Sequence, residues 1–320
     1  MKSRNQQVDG LRGITVLMIV FYHLICRYSE LYLDKSIYFL NQWGKFGVSI
    51  FLLISSYYSV SSRGNKYSIL KKILRLWPTY FASITLTMVI LRFLQLPGRT
   101  CGVSDYLLNC LFLNGFIGIP YVDGAHWYIT TLISIIIING FFNAFNISDK
   151  EFPYLIWMIL AFLMTKIVKC LVITQVLGGS YVGIACMGAS IRNFDKNTKS
   201  WKAMLFLALI YSCIMLGIKY VIILIFVTPI IIAAIKEKME FLESKILNMI
   251  GAISYPLYLI HQNVGMAIEY NMMVTFGKYS LWYVIIAIVL VIALAIVLYT
   301  MVEKPSQKIL NNCWREIQSG

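Results

Sequence analysis

Long apolar runs separated by short polar breaks fill almost the whole chain. The runs fall at about 12–33, 45–62, 76–96, 125–145, 152–171, 176–191, 201–217, 219–235, 246–268 and 279–302. Each approaches or reaches the roughly 20 residues that a helix needs to cross hydrocarbon. The pattern predicts an all-α, polytopic membrane bundle of about ten transmembrane helices, forming a single membrane-embedded domain over residues 1–320. The run at 176–191 is short and the break between 217 and 219 is tight, so about nine to eleven spans fit the same pattern.

Composition agrees with the pattern. Hydrophobic residues make up 59% of the chain and charged residues 13%, about half the charged share of a soluble domain. The net charge of +14 raises the question of a nucleic-acid partner, and the placement of the charges answers it. With the N-terminus taken as cytoplasmic, the outer segments hold only Arg27, Lys35, Lys45, Arg92, Arg99, Lys166, Lys169, Lys219 and Lys278; the rest of the 28 Lys and Arg fall inside. That bias satisfies the positive-inside rule and predicts both termini in the cytoplasm. Basic residues are not interleaved with aromatics in a patch, so nucleic-acid binding is set aside. The seven cysteines form no C-x-x-C pair, which argues against a zinc site or a disulfide framework. Residues 1–26 resemble a signal peptide in charge and apolarity, but no small-residue cleavage site follows, and the segment is read as retained.

The longest outer loop, 97–124, is too apolar for a plain loop: Leu111, Phe112 and Phe116 stand among Gly98, Gly102, Gly115, Gly118 and Pro120. It is expected to dip back into the bundle or to lie over a cavity, where protein or water shields its backbone.

Several polar residues inside this apolar pattern are candidates for chemistry. Asp9, Arg12 and His23 open the first run. Arg12 and His23 are separated by three helical turns plus about 20°, so they share a face roughly 16 Å apart. His23 and His261 lie within apolar runs, where an ionisable side chain faces the bundle interior or a wet cavity. The plainer reading is a histidine that ties two helices together by a hydrogen bond. His126 opens a run and is followed by Trp127 and Tyr128, a grouping that an interfacial aromatic belt also explains. Ser254, Tyr258 and His261 fall on one helical face beside Pro256. Lys71, Lys72 and Arg75 cluster at an inner membrane edge, suited to lipid headgroups or to the phosphates of a nucleotide-bearing cofactor. Ser55 and Ser56 form a serine pair in the second run, and Glu303 and Pro305 follow the last.

Taken in order, these motifs resemble those of the acyltransferase-3 family of integral membrane acyltransferases, and the resemblance covers nearly the whole chain. Asp9-Gly10-Leu11-Arg12-Gly13, with ten residues between Arg12 and His23, is similar to the family's first-span motif. Phe51-Leu52-Leu53-Ile54-Ser55-Ser56 is similar to its F-F-x-x-S-G, with Leu52 for a phenylalanine and Ser56 for the glycine. Lys72, Arg75 and Pro78 match R-x-x-R-x-x-P with lysine for the first arginine, and Ser254 to His261 match S-Y-x-x-Y-L-x-H. Glu303 and Pro305 supply E-x-P, while Thr130 and Thr131 stand where many relatives carry a glutamate after the tryptophan.

The resemblance implies an O-acyltransferase. It would move an acyl group, often acetyl, from cytoplasmic acyl-CoA to a hydroxyl of an extracytoplasmic or lipid-linked glycan. His23 would act as general base or acyl carrier, assisted by His261, with Arg12 binding or orienting the donor. Arg12, Lys71, Lys72 and Arg75 would hold the phosphates of acyl-CoA (acetyl-CoA for an acetyl donor). Ser55, His126, Trp127, Ser254 and Tyr258 would line the acceptor side. No metal is expected. Membrane lipid, the glycan acceptor and glycan-synthesis enzymes are the implied partners, in a bacterial cytoplasmic membrane. Ten spans with polar midplane residues also suit a glycan or lipid transporter or exporter, and the altered second motif suits an inactive scaffold of a glycan-synthesis complex.

Overall fold

A computed structural model of the chain describes residues 5–60, 68–99, 101–196 and 201–319. Among them the regular structure is helical throughout. The basic residues Lys2, Arg4, Arg63, Lys66 and Lys199 lie outside the described residues.

Every apolar run of the sequence lies on helix. The first is α1, Gln6–Phe21, which continues through a π-helical segment at Tyr22–Arg27 to Tyr32. There follow α2 (Asn41–Ser59), α3 (Ser68–Phe93), α4 (Val103–Cys110), α5 (Trp127–Ala144), α6 (Phe152–Phe162), α7 (Val182–Asp195), α8 (Trp201–Leu216) and α9 (Ile218–Ile235). The chain ends with α10 (Lys245–Ala252), α11 (Ser254–Phe276), α12 (Leu281–Leu298) and α13 (Lys304–Ser319). Among the described residues, 6 helices are long and apolar enough to cross a membrane: Gln6–Tyr32, Ile69–Phe93, Gly124–Ala144, Leu171–Asp195, Ile218–Ile235 and Leu281–Glu316. The apolar helices Phe152–Val168 and Trp201–Leu216 are shorter. α2 and α11 have the length but carry more polar residues, and those residues face inward. In α11, His261, Gln262, Asn263 and Glu269 are all buried. α11 buries apolar and polar side chains alike, Leu257, Leu259, Ile260 and Val264 among them, so its ionisable groups face the bundle interior.

Backbone-to-backbone contact explains the glycines of the first motif. A Cβ on Gly10 would collide with the Leu242 carbonyl, and one on Gly13 with the Leu247 carbonyl. From the other side, a Cβ on Gly251 would strike the Asp9 carbonyl. α1 and α10 therefore pack with their main chains touching, as small residues allow in membrane helices. The start of α1 is fixed by side chains. Asn5 caps it, accepting from the Val8 amide at 2.9 Å, and donates to the Ala234 carbonyl at the end of α9 at 3.3 Å. Gln7 donates to Glu243 at 2.8 Å and accepts from the Met239 amide at 2.7 Å. Arg12 is thereby held at the amino-terminal end of the bundle, and the rest of α1 points inward.

The 97–124 segment re-enters the bundle alongside α3. Tyr106 meets Thr85 at 2.8 Å, the Trp77 indole donates to the Cys110 carbonyl at 2.9 Å, and the Phe112 ring lies 4.4 Å from Tyr80. The loop thus descends by about two turns of α3, or roughly 12 Å. Asn109 closes it, donating to the Pro120 carbonyl at 3.0 Å and accepting from the Val122 amide at 3.2 Å. The segment that begins α5 is therefore delivered to the middle of the bundle.

Candidate active site

Two histidines meet where α1 and α11 cross. His261 Nε2 lies 3.0 Å from His23 Nδ1. His23 Nδ1 is also 3.0 Å from the Ile19 carbonyl, and His261 Nδ1 is 2.7 Å from the Tyr258 carbonyl. A carbonyl oxygen only accepts, so both Nδ1 atoms carry hydrogen. His261 Nε2 is then bare and accepts from the His23 Nδ1–H, which it shares with Ile19. This is the neutral arrangement that satisfies all three contacts, and it leaves His23 Nε2 bare as well. His23 is half-buried and its Nε2 has no partner among the described residues, so the pair ends in one open basic nitrogen. His23 stands on the π-helical segment Tyr22–Arg27, whose wider turn places its ring over α11.

His261 is fixed by a clamp around one rung of its own helix. The Leu259 carbonyl and the Asn263 amide are the two ends of a single i, i+4 step of α11. His126 Nε2–H donates to the Leu259 carbonyl at 2.8 Å, and Asp123 accepts the Asn263 amide at 2.8 Å. Asp123 also caps the turn that leads into α5, taking the Ala125 amide at 2.9 Å, and Asn263 donates to the Val122 carbonyl at 2.8 Å. All three clamp side chains are buried. The re-entrant loop therefore grips α11 on both sides of His261.

An aromatic shell extends from the pair. Tyr258 donates to the Ala125 carbonyl at 2.6 Å, its ring is 5.1 Å from Tyr128, and Phe51 packs 6.2 Å from Tyr258. Ser55 reaches the Tyr128 hydroxyl at 3.4 Å, so it joins this shell. Trp127 turns aside and stacks on Tyr181 at 4.9 Å. Ser254 is buried at the start of α11, two turns or about 10 Å before His261. Ser56, the departure from the family motif, is used structurally: it donates to the Ala185 carbonyl at 2.6 Å and accepts from Asn139 at 3.2 Å, tying α2 to α7 and α5.

The cations of the amino-terminal end divide into two groups. Arg12 pairs with the buried Asp9 at 3.3 Å, and its guanidinium lies 5.9 Å over the exposed Tyr58 ring. Lys72 donates to the Ser59 carbonyl, the next residue along, at 3.2 Å. Arg12 and Lys72 thus converge on the end of α2. Lys71 faces away, 5.7 Å over the Trp314 ring of α13, and Arg75 is exposed.

The sequence singles out His23, His261, Arg12, Tyr258 and Ser55 as candidates, but not Asp123, Asn263 or Gln262. Asp123 had a readable signal, an aspartate immediately before a helical turn. Its second bond, to α11, has none in the sequence.

Comparison with models of known families matches residues 5–300 to the acyltransferase-3 model, described as "Acyltransferase domain". No curated protein and no solved structure matches the chain.

Proposed function

The chain belongs to the acyltransferase-3 family and is a multi-pass membrane acyltransferase; on that premise we propose that it carries acetyl from cytoplasmic acetyl-CoA to a hydroxyl of a glycan or lipid-linked sugar beyond the membrane. The observation that carries this reading is the histidine relay, which ends in the free His23 Nε2. About ten spans with both termini in the cytoplasm go with it, supported by the bias of basic residues.

In this reading the donor binds at the amino-terminal end. Arg12, held by Asp9, keeps further N–H groups for phosphate, and Lys72 has two protons beyond the one given to Ser59. Tyr58, 47% exposed, offers a ring beside them on which a purine can stack. Arg75 serves the same mouth, whereas Lys71 chiefly secures α13 through Trp314. The pantetheine arm then follows α1 for roughly 16 Å to His23.

The acceptor hydroxyl approaches His23 from the opposite end. Its oxygen attacks the thioester carbonyl while its proton passes to His23 Nε2. The oxygen–carbon bond forms, the carbon–sulfur bond breaks, and the proton goes on to the leaving thiolate. While His23 is charged, His261 Nε2 accepts from its Nδ1–H and spreads the charge. The Tyr258 carbonyl and the clamp by Asp123 and His126 keep His261 in the orientation that does this. General-base assistance of this kind contributes about 10²–10⁴ in rate. Tyr128, Ser55 and Tyr258 line the transfer point. No step calls for a metal, and glycan-synthesis enzymes would supply the acceptor.

The experiment is glycan analysis of the host with the gene deleted. An ester should disappear, return with the wild-type gene, and stay absent with His23→Ala at equal membrane levels. Normal esterification in the His23→Ala strain would overturn the reading.

A further inference from the structure

The opposite end of the bundle carries a guanidinium that no described residue neutralises. Arg99 closes a tight turn, its amide donating to the Leu96 carbonyl at 3.2 Å, with Pro97 and Gly98 at the corner. Gly98 has φ +73°, the left-handed value that this turn demands and that glycine adopts freely. The turn is anchored from both catalytic helices. The Tyr32 hydroxyl, at the end of the α1 extension, donates to the Pro97 carbonyl at 3.1 Å, and Asn271 of α11 donates to the Gln95 carbonyl at 2.8 Å. Arg99 is therefore preset rather than loose.

Its guanidinium points back to the site. Arg99 Nη1 and Gln262 Nε2 both lie within 3.4 Å of one point, the position that a Cβ on Gly124 would take. Gln262 follows His261 in sequence, is 4% exposed, and has no hydrogen-bond partner among the described residues. The other side of the guanidinium lies against the Tyr32 hydroxyl, and Arg99 is within electrostatic reach of His23. The acids of this region are otherwise engaged or enclosed. Glu30 pairs with Arg27 at 2.9 Å, Asp123 takes two backbone amides, and Glu269 is fully buried. Among the described residues no carboxylate forms an ion pair with Arg99. A cation and an amide donor thus converge beside Gly124, one residue from His261 on the Gln262 side, and no described carboxylate pairs with that cation.

The geometry points to Arg99 and Gln262 as the specificity site for an oxyanion on the acceptor, either a uronate carboxylate or a phosphodiester of the glycan, which fixes the sugar whose hydroxyl reaches His23. This rests on the acyl-transfer reading for what the bound glycan is for, not for the binding itself. A bidentate guanidinium contact selects such oxyanions over neutral sugars.

The test is equilibrium binding of three labelled probes to the purified full chain in nanodiscs: tetragalacturonate, a glycerol-phosphate oligomer and neutral maltotetraose. At least one anionic probe should bind about tenfold tighter than maltotetraose. Arg99→Gln should erase that preference, Arg99→Lys should recover part of it, and acetyl-CoA binding should be unchanged in both. Preference for one anionic probe identifies carboxylate or phosphodiester as the source. Equal or absent binding of the anionic probes overturns the inference, as does full preference in Arg99→Gln. Loss of acetyl-CoA binding in that variant makes Arg99 a structural strut and overturns it too. Because binding is read without turnover, a protein that selects anions but transfers no acetyl would contradict the proposed reaction and leave this site standing.

Discussion

His261 Nε2 lies 3.0 Å from His23 Nδ1, although 238 residues separate them along the chain. Neither histidine can be moved without disturbing the other. The His23 end is open, and the His261 end is tied to the Tyr258 carbonyl at 2.7 Å. The two residues are therefore expected to fail differently. His23→Ala removes the base and should abolish transfer. His261→Ala leaves the base but removes the partner that shares its charge, and should lower kcat by about a hundredfold. The KM for acyl-CoA should stay near its wild-type value in His261→Ala. Steady-state kinetics on the purified variants checks both, and equal losses of kcat and donor affinity would speak against a relay.

The clamp on α11 predicts a coupled loss of stability and rate. Asp123→Ala leaves the buried Asn263 and Ala125 amides without their acceptor, at a cost of about 1–3 kcal/mol. Its thermal midpoint and kcat should fall together while acyl-CoA still binds. His126→Ala should behave alike, since the Leu259 carbonyl loses its outside donor. A variant with lowered stability and unchanged kcat would separate the clamp from catalysis.

The two groups of cations should part in kinetics. Arg12→Ala and Lys72→Ala are expected to raise the KM for acyl-CoA by about tenfold, more at low salt than at high. Lys71→Ala should change that KM little, because Lys71 is occupied with the Trp314 ring. Acyl-CoA titrations at two ionic strengths measure this, and a large effect confined to Lys71 would redraw the donor mouth.

Gly10→Ala tests the main-chain contact of α1 with Leu242. The added Cβ forces the helices apart and should cost about 1–3 kcal/mol, seen as a lower melting temperature in detergent. An unchanged melting temperature would mean that α1 is not in such contact with Leu242.

Glu269 lies fully buried on α11, and both of its carboxyl oxygens lack a partner among the described residues. Glu269→Gln should leave stability unchanged or raise it by about 1 kcal/mol, since it removes a group whose burial is uncompensated. A marked drop in melting temperature would reveal a partner for the carboxyl.

The helices were largely legible in the sequence, because lipid demands long apolar runs and the runs fall on helix, although the run at 246–268 divides between α10 and α11. Crossing number was less so. α2 and α11 hold their polar residues inward, and mean apolarity is blind to which way a side chain faces. The re-entrant loop announced itself through Phe112, Phe116 and its glycines, and Phe112 does pack on Tyr80. The site was legible as a set of residues and not as a geometry. Spacing places Arg12 and His23 on one face, but only tertiary packing brings His261 to His23. The π-helical turn at Tyr22–Arg27 has no local sequence marker. The grip of Asp123 and His126 on Leu259 and Asn263 joins backbone atoms, to which side-chain patterns give no clue. Arg99 counted only as one outer charge until the turn at Gly98 showed where it points.

Whether the open His23 nitrogen carries acyl transfer can be read from the fate of a labelled acetyl group. Purified chain in nanodiscs is given labelled acetyl-CoA and the glycan of its host, and ester label on the glycan is followed for wild type and His23→Ala. Label is expected with wild type and none with His23→Ala, while both bind acetyl-CoA with the same affinity. Label from His23→Ala at the wild-type rate would contradict that role of His23.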